Sequence, residues 1–133
     1  SGMAAFEAKE FAQAWQLLKP IAESGDAQAQ HRLAIMCQNG LGMAPNPLMA
    51  YKWMRSAAEQ GYAMAEHGLG FMYLYGECTE KNEKEAANWF RRAADQGLVG
   101  AAMTLAMMYE QGLGVPQDPE EAKKWSTRAE GGA

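Results

Sequence analysis

The chain has 133 residues, 48% of them apolar, and a formal net charge of −4, with a sequence pI near 5.2. That length and apolar share are enough for one domain with a core, whereas the acidic balance argues against a grip on nucleic-acid phosphates or an anionic membrane, which needs clustered Lys and Arg. No run approaches the roughly 18 consecutive apolar residues of a membrane span, and no charged segment leads into an apolar one as in a signal peptide.

Residues 3-25 open the chain as a partial repeat. Phe6, Phe11, Trp15 and Leu18 fall at helical spacing. Ala14, Leu17, Ile21, Ala22 and Gly25 stand 36 residues before Ala50, Trp53, Ala57, Ala58 and Gly61. This spacing predicts the second helix of a leading repeat, with the residues before Glu10 as a remnant of its first helix. Pro20 lies inside it and should bend the helix near Gln16, because proline removes one backbone hydrogen bond.

The same offset then governs the rest of the chain. Leu69, Gly70, Tyr73, Gly76, Ala86, Trp89, Ala93 and Gly97 match Leu33, Ala34, Cys37, Gly40, Ala50, Trp53, Ala57 and Gly61 at 36 residues before, and Leu105, Ala106, Tyr109, Gly112, Ala122, Trp125, Ala129 and Ala133 at 36 after. Self-similarity at such a period marks a stacked helical repeat. The expected fold is all-α, an α-solenoid of antiparallel helix pairs. The chain 1-133 forms a single repeat domain, with repeat one at 26-61, repeat two at 62-97 and repeat three at 98-133.

Each repeat reads as helix A, loop, helix B. Asp26 can cap the first helix A, whose apolar stripe is Ala29, Leu33, Met36 and Cys37. Gly40, Gly76 and Gly112 stop the A helices, since a left-handed residue commonly follows a helix end. Asn46 before Pro47, Asn82 three before Glu85, and Asp118 before Pro119 start the B helices. The alanine pairs 57/58 and 93/94 let the next A helix approach closely, while Trp53 and Trp89 fill the space between elements. In repeat three Ser126 and Glu130 replace the apolar counterparts Met54/Phe90 and Ala58/Ala94, as in a polar capping repeat. With nothing following it, Trp125 is expected to be the most exposed of the three helix-B tryptophans, and weak self-association through that end is the competing outcome.

The pattern from Ala65 through Leu69-Gly70, Met72-Tyr73 and Gly76, continued by Ala86, Trp89, Ala93-Ala94 and Gly97, resembles the Sel-one-like repeat family, relatives of the tetratricopeptide repeats. Tyr109 to Asp118 is similar to the family's loop almost throughout, while Glu77-Cys78 departs from the Leu-Gly of Leu41-Gly42 and Leu113-Gly114. The resemblance implies a scaffold or adaptor that holds other proteins together, in bacterial signalling and envelope processes or in eukaryotic quality control.

Catalytic residues, metal ligands and cofactors are not expected. His31 and His67 are one period apart, but Met103 breaks the ladder and no carboxylate or thiol stands at ligand spacing, so both read as ordinary histidines. Glu83-Lys84-Glu85 and Glu120-Glu121 are helix-start charges. Cys37 and Cys78 occupy non-equivalent repeat positions and read as free thiols. The alternative of a hydrolase like the family's cysteine-rich, β-lactam-associated members lacks their cysteine pair in each repeat and a Ser-x-x-Lys element. A second alternative is a structural module of a longer protein. Ser1-Gly2 reads as a tag-cleavage scar, which leaves the compartment cytoplasmic, or periplasmic if a signal peptide was removed.

The expected binding site is a stripe on the A helices, stacked by the solenoid into one groove on its inner face. It comprises His31, Ile35 and Gln38, then His67, Phe71 and Leu74, then Met103, Met107 and Glu110. A peptide or protein segment is the expected partner, anchored on Phe71, with completion of the inter-repeat core as the plainer role of Phe71 and Met107.

Overall fold

The computed structural model describes residues 2–131, with side chains from Glu10 onward. The described residues form seven helices and no strand: α1 Gly2–Glu23, α2 Ala27–Asn39, α3 Pro47–Glu59, α4 Ala63–Tyr75, α5 Glu83–Asp95, α6 Val99–Gln111 and α7 Pro119–Gly131. The all-α helix-pair architecture and its 36-residue period are as the sequence predicts. Helices α2, α4 and α6 are the A helices; α3, α5 and α7 are their B partners.

The start and stop signals act as local chemistry requires. Asp26, Asn46 and Asn82 side chains accept hydrogen bonds from the amides of Ala29, Met49 and Glu85, and Asp118 accepts from Glu120 and Glu121. These bonds satisfy amides that have no partner inside the helix. Gly40, Gly76 and Gly112 take left-handed φ values of 68°, 69° and 71° and donate to Met36, Met72 and Met108. The loops then close identically: the amides of Asn46, Asn82 and Asp118 donate to the carbonyls of Cys37, Tyr73 and Tyr109 at 2.8–2.9 Å.

The first helix differs from expectation. The residues before Glu10 belong to α1 itself, a 22-residue helix, and not to a separate helix. No glycine or proline interrupts Met3 to Lys19, and this run of Ala, Glu, Lys, Gln and Leu favours one continuous helix. The helix continues past Pro20 and ends at Glu23.

Packing runs mainly between sequence neighbours, within repeats as α2 on α3, α4 on α5 and α6 on α7, and between repeats as α1 on α2, α3 on α4 and α5 on α6. The core is a ribbon along this stack. Leu33, Leu69 and Leu105 are fully buried, as are Ala50, Ala57, Ala86 and Ala93. Phe90 is the largest fully enclosed side chain, and Gly70 exists to admit it: a Cβ there would lie 2.9 Å from the Phe90 ring.

Trp125 corrects an expectation. It is 5% exposed, against 7% for Trp89, and Trp53 is the half-buried one. Its cover comes from its own repeat, where α7 packs on α6, and from the Arg128 guanidinium 4.7 Å above its ring. Arg92 covers Trp89 in the same way at 4.6 Å, while the equivalent position in repeat one is Ser56. Burial of these tryptophans therefore owes little to a following repeat.

Candidate protein-binding surface

The A helices decide which side chains reach solvent. At about 100° per residue, Met64 and Tyr75 lie about 20–40° to one side of Phe71, and His67 and Leu74 about 40–60° to the other. Tyr75 is 62% exposed, Met64 46% and Leu74 5%. The solvent face of α4 is thus centred between Phe71 and Tyr75, whose rings stack with centroids 5.9 Å apart and 7° between planes.

The expected nine-residue stripe lies toward the next repeat, and the structure does not gather it into one groove. His31 meets the Tyr62 ring edge-on at 5.4 Å, and Gln38 donates to Glu77 at 3.1 Å; both partners belong to repeat two. Ile35 faces the other way, in an apolar cleft of about 250 Å³ with Phe11 and Leu18 of α1. His67 packs between Phe71 and Phe90, close to Gly100 of α6. Phe71 touches Phe90 at 5.0 Å, so it completes the core as well as reaching solvent. Leu74 is a core residue, because its side of α4 is turned toward the packed seam.

The last triplet shares one open cleft. Met103, Met107 and Glu110 line a cleft of about 310 Å³ with Ser126 and Glu130. His67, the counterpart of Met103 in repeat two, lies close to Gly100 of α6, whereas Met103 is 60% exposed.

Two polar ladders cross the seams. Gln30 donates to the Ala22 carbonyl at 3.0 Å and accepts from Gln60 at 2.9 Å. One period on, Gln96 donates to the Gly61 carbonyl at 2.9 Å and to Glu66 at 2.7 Å. Glu66 is 3% exposed, and burial pushes its carboxyl above the usual range, offset in part by the Gln96 bond and Arg92. In the second ladder the Tyr73 hydroxyl meets that of Tyr51 at 2.7 Å, which also accepts from Arg55 at 2.6 Å. Burial and that bond push the Tyr73 hydroxyl up to about 12. Arg91 reaches Tyr109 directly, because Ala87 stands where Tyr51 stands in the preceding repeat. Sequence reasoning missed both ladders, although Gln60/Gln96 and Arg55/Arg91 repeat at the same offset of 36.

Among the described residues no three His, Cys, Asp or Glu side chains gather to hold a metal ion, and no helix is long and apolar enough to cross a membrane. Burial lowers the proton affinity of His31 and His67, and the His67 Nε2 is enclosed without a hydrogen-bond partner among the described residues.

This fold defines a solenoid of helical hairpins, and comparison identifies its kind. The Sel1 repeat model matches residues 27–62, 63–98 and 100–130, so the chain belongs to the Sel1-repeat family. A Sel1 repeat protein from Oxalobacter formigenes is 40% identical, with a TM-score of 0.80 over 87% of each chain. The protein c5321, a protective antigen of uropathogenic Escherichia coli with an SLR fold, is 39% identical, with a TM-score of 0.85 over 87% of this chain and 25% of that one. The chain thus spans a quarter of the length of the E. coli chain. Cysteine rich protein B of Helicobacter pylori shares the fold, with a TM-score of 0.73 at 18% identity over 95% of this chain and 90% of that one. Comparison with curated protein sequences returned no match. Sel1-repeat proteins are in general non-catalytic protein-interaction scaffolds.

Proposed function

We propose that this chain is a scaffold that holds a peptide or protein segment on the solvent face of its A helices, centred on Met64, Phe71 and Tyr75. One observation carries the reading: three large apolar side chains share one exposed side of the central A helix, two of them stacked ring on ring. Exposed aromatic and Met side chains supply contact area at little conformational cost, and helical-repeat faces present such anchors to extended or helical segments. The matching segment carries its own apolar anchor and needs no excess of positive charge.

Selection of binding peptides from a displayed random library on the folded protein, followed by affinity measurements on variants, tests this. Tyr75→Ala should weaken selected peptides by roughly tenfold or more with an unchanged melting temperature, as expected for an anchor worth roughly 2 kcal/mol. Phe71→Ala should lower both affinity and melting temperature, because it also packs on Phe90. Peptides that bind Tyr75→Ala as well as the parent place the site elsewhere.

A second reading, a module packed within a longer protein, is favoured by the E. coli chain, of which this chain matches a quarter, and by the open α6–α7 cleft. The complete reading frame decides it: further repeats after Ala133 support it, and a stop there opposes it.

A further inference from the structure

We propose that Cys37 and Cys78 form a thiol–disulfide pair, a reversible covalent fastening between helix A of repeat one and the loop of repeat two. The argument begins with two departures from the repeat. Cys37 stands where Tyr73 and Tyr109 stand, and Cys78 where Gly42 and Gly114 stand. The departures fall at different repeat positions in different repeats, yet the fold brings them to one place.

Their chain neighbours are bonded directly, Gln38 donating to Glu77 at 3.1 Å. Both cysteines also lie at the start of α3. The Cys37 carbonyl accepts from the Asn46 amide at 2.8 Å, one residue before that helix. Position 78 is placed by its counterparts. A Cβ on Gly42 would lie 2.7 Å from the Ala12 amide and 2.8 Å from Phe11, and one on Gly114 would overlap Glu83 and Lys84. Shifted by one period, both sets of contacts become Pro47 and Leu48, the first turn of α3. Cys78 packs against the same buried cluster that contains Cys37.

The two thiols differ in a way that suits sequential exchange. Cys37 is fully buried, whereas Cys78 is partly exposed. Cys78 as thiolate attacks one sulfur of a small disulfide such as oxidised glutathione, forming a mixed disulfide and releasing one glutathione thiolate. The Cys37 thiolate then attacks the Cys78 Sγ and expels the second glutathione. Two protein thiols are oxidised and one glutathione disulfide is reduced to two thiols. Burial pushes both thiols above their usual range, helped by Cys78 at Cys37 and by Glu77 at Cys78, so exchange quickens as pH rises. The bond would tie α2 to the loop after α4 and hold the seam between repeats one and two closed.

The test equilibrates dilute folded protein in glutathione redox buffers, quenches with acid and maps the peptides. Expected are a Cys37–Cys78 link within a monomer, loss of both alkylatable thiols together, reversal by dithiothreitol and slower hydrogen exchange over residues 27–82. Cys78→Gly, which installs the residue of the other two loops, should fold and leave Cys37 unreactive to oxidant and alkylating agent alike. Oxidation that halts at a glutathione adduct on Cys78, Cys78–Cys78 dimers, or a link that appears only after denaturation would each overturn the proposal.

Discussion

At the scale of single residues, Cys78 and Glu66 are where this chain departs from its own pattern. Among the described residues Cys78 is the one non-glycine residue with a positive φ, 65°, while Gly42 and Gly114 take 78° and 69°. The loop keeps its backbone shape, and the side chain accepts a left-handed conformation that costs about 1–2 kcal/mol. Replacing it by glycine removes that strain but also a partly buried thiol, and glycine costs about 0.5–1 kcal/mol of chain entropy. These terms nearly cancel, so Cys78→Gly should move stability by less than about 1 kcal/mol by denaturant melts. A larger loss would mean that the thiol packs more tightly than its partial exposure suggests.

Glu66 gives a pH prediction whose sign follows from its burial. Its carboxyl is raised in the folded state, so its contribution to stability is full below the unfolded value and is lost as pH rises through the folded one. Gln30 occupies the same position in repeat one with both of its bonds made. Glu66→Gln should therefore raise the melting temperature at pH 7, by a few degrees for about 1 kcal/mol, and the gain should vanish near pH 4. Equal or lower melting at pH 7 would show that the Gln96 bond and Arg92 outweigh the cost of burying the charge.

At the scale of helices, the sequence was legible where one local rule decides the outcome. A glycine is needed wherever a left-handed residue ends an A helix, and an Asx side chain serves wherever a B helix begins with open amides, so both helix ends could be read from residue type. Leu33 was likewise legible as core by period. The face of each A helix was not, because it is bounded on two sides: by the B helix of its own repeat and by the preceding repeat. Tyr73 reaching back to Tyr51, and Gly68 lying 2.9 Å by its absent Cβ from Met54, mark the preceding repeat, while Gly70 against the Phe90 ring marks the B helix on the side of Leu74. Between these two boundaries the solvent face is left at Phe71, Met64 and Tyr75. Trp125 failed for a related reason, since a tryptophan on helix B is enclosed by its own hairpin and a neighbouring arginine. At the helix ends, Gly112→Val should cost on the order of 1–2 kcal/mol, because valine would have to hold φ near 71° and its Cβ would meet the Gln117 Cβ at 3.3 Å. Chemical melts that show no loss would mean that the end of α6 can refold into another cap.

At the scale of the whole molecule, a stack in which each helix packs mainly on its sequence neighbours has a stability that is nearly a sum of hairpin and seam terms. The three seams are unequal. The junction of α1 with α2 carries the Gln30 bond to Ala22, and that of α3 with α4 carries the Tyr51–Tyr73 contact and the Gln96 bond to Gly61. The junction of α5 with α6 carries the Arg91–Tyr109 contact and the Arg128–Asp95 pair at 3.3 Å, which is exposed and therefore weak. Ala102 there replaces the buried Gln30 and Glu66, so repeat three lacks the first ladder altogether. Its hairpin should open first. Native-state hydrogen exchange should show amides of α6 and α7 exchanging through a lower-energy opening than those of α4 and α5, and Gly112→Val should widen that gap without changing protection in α2. Removing Arg91 by Arg91→Ala should widen it too, because it strikes the same seam from the other side. Exchange that rises equally from α2 to α7 in either variant would mean that the array unfolds as one unit, and that coupling across the seams exceeds what these few contacts supply.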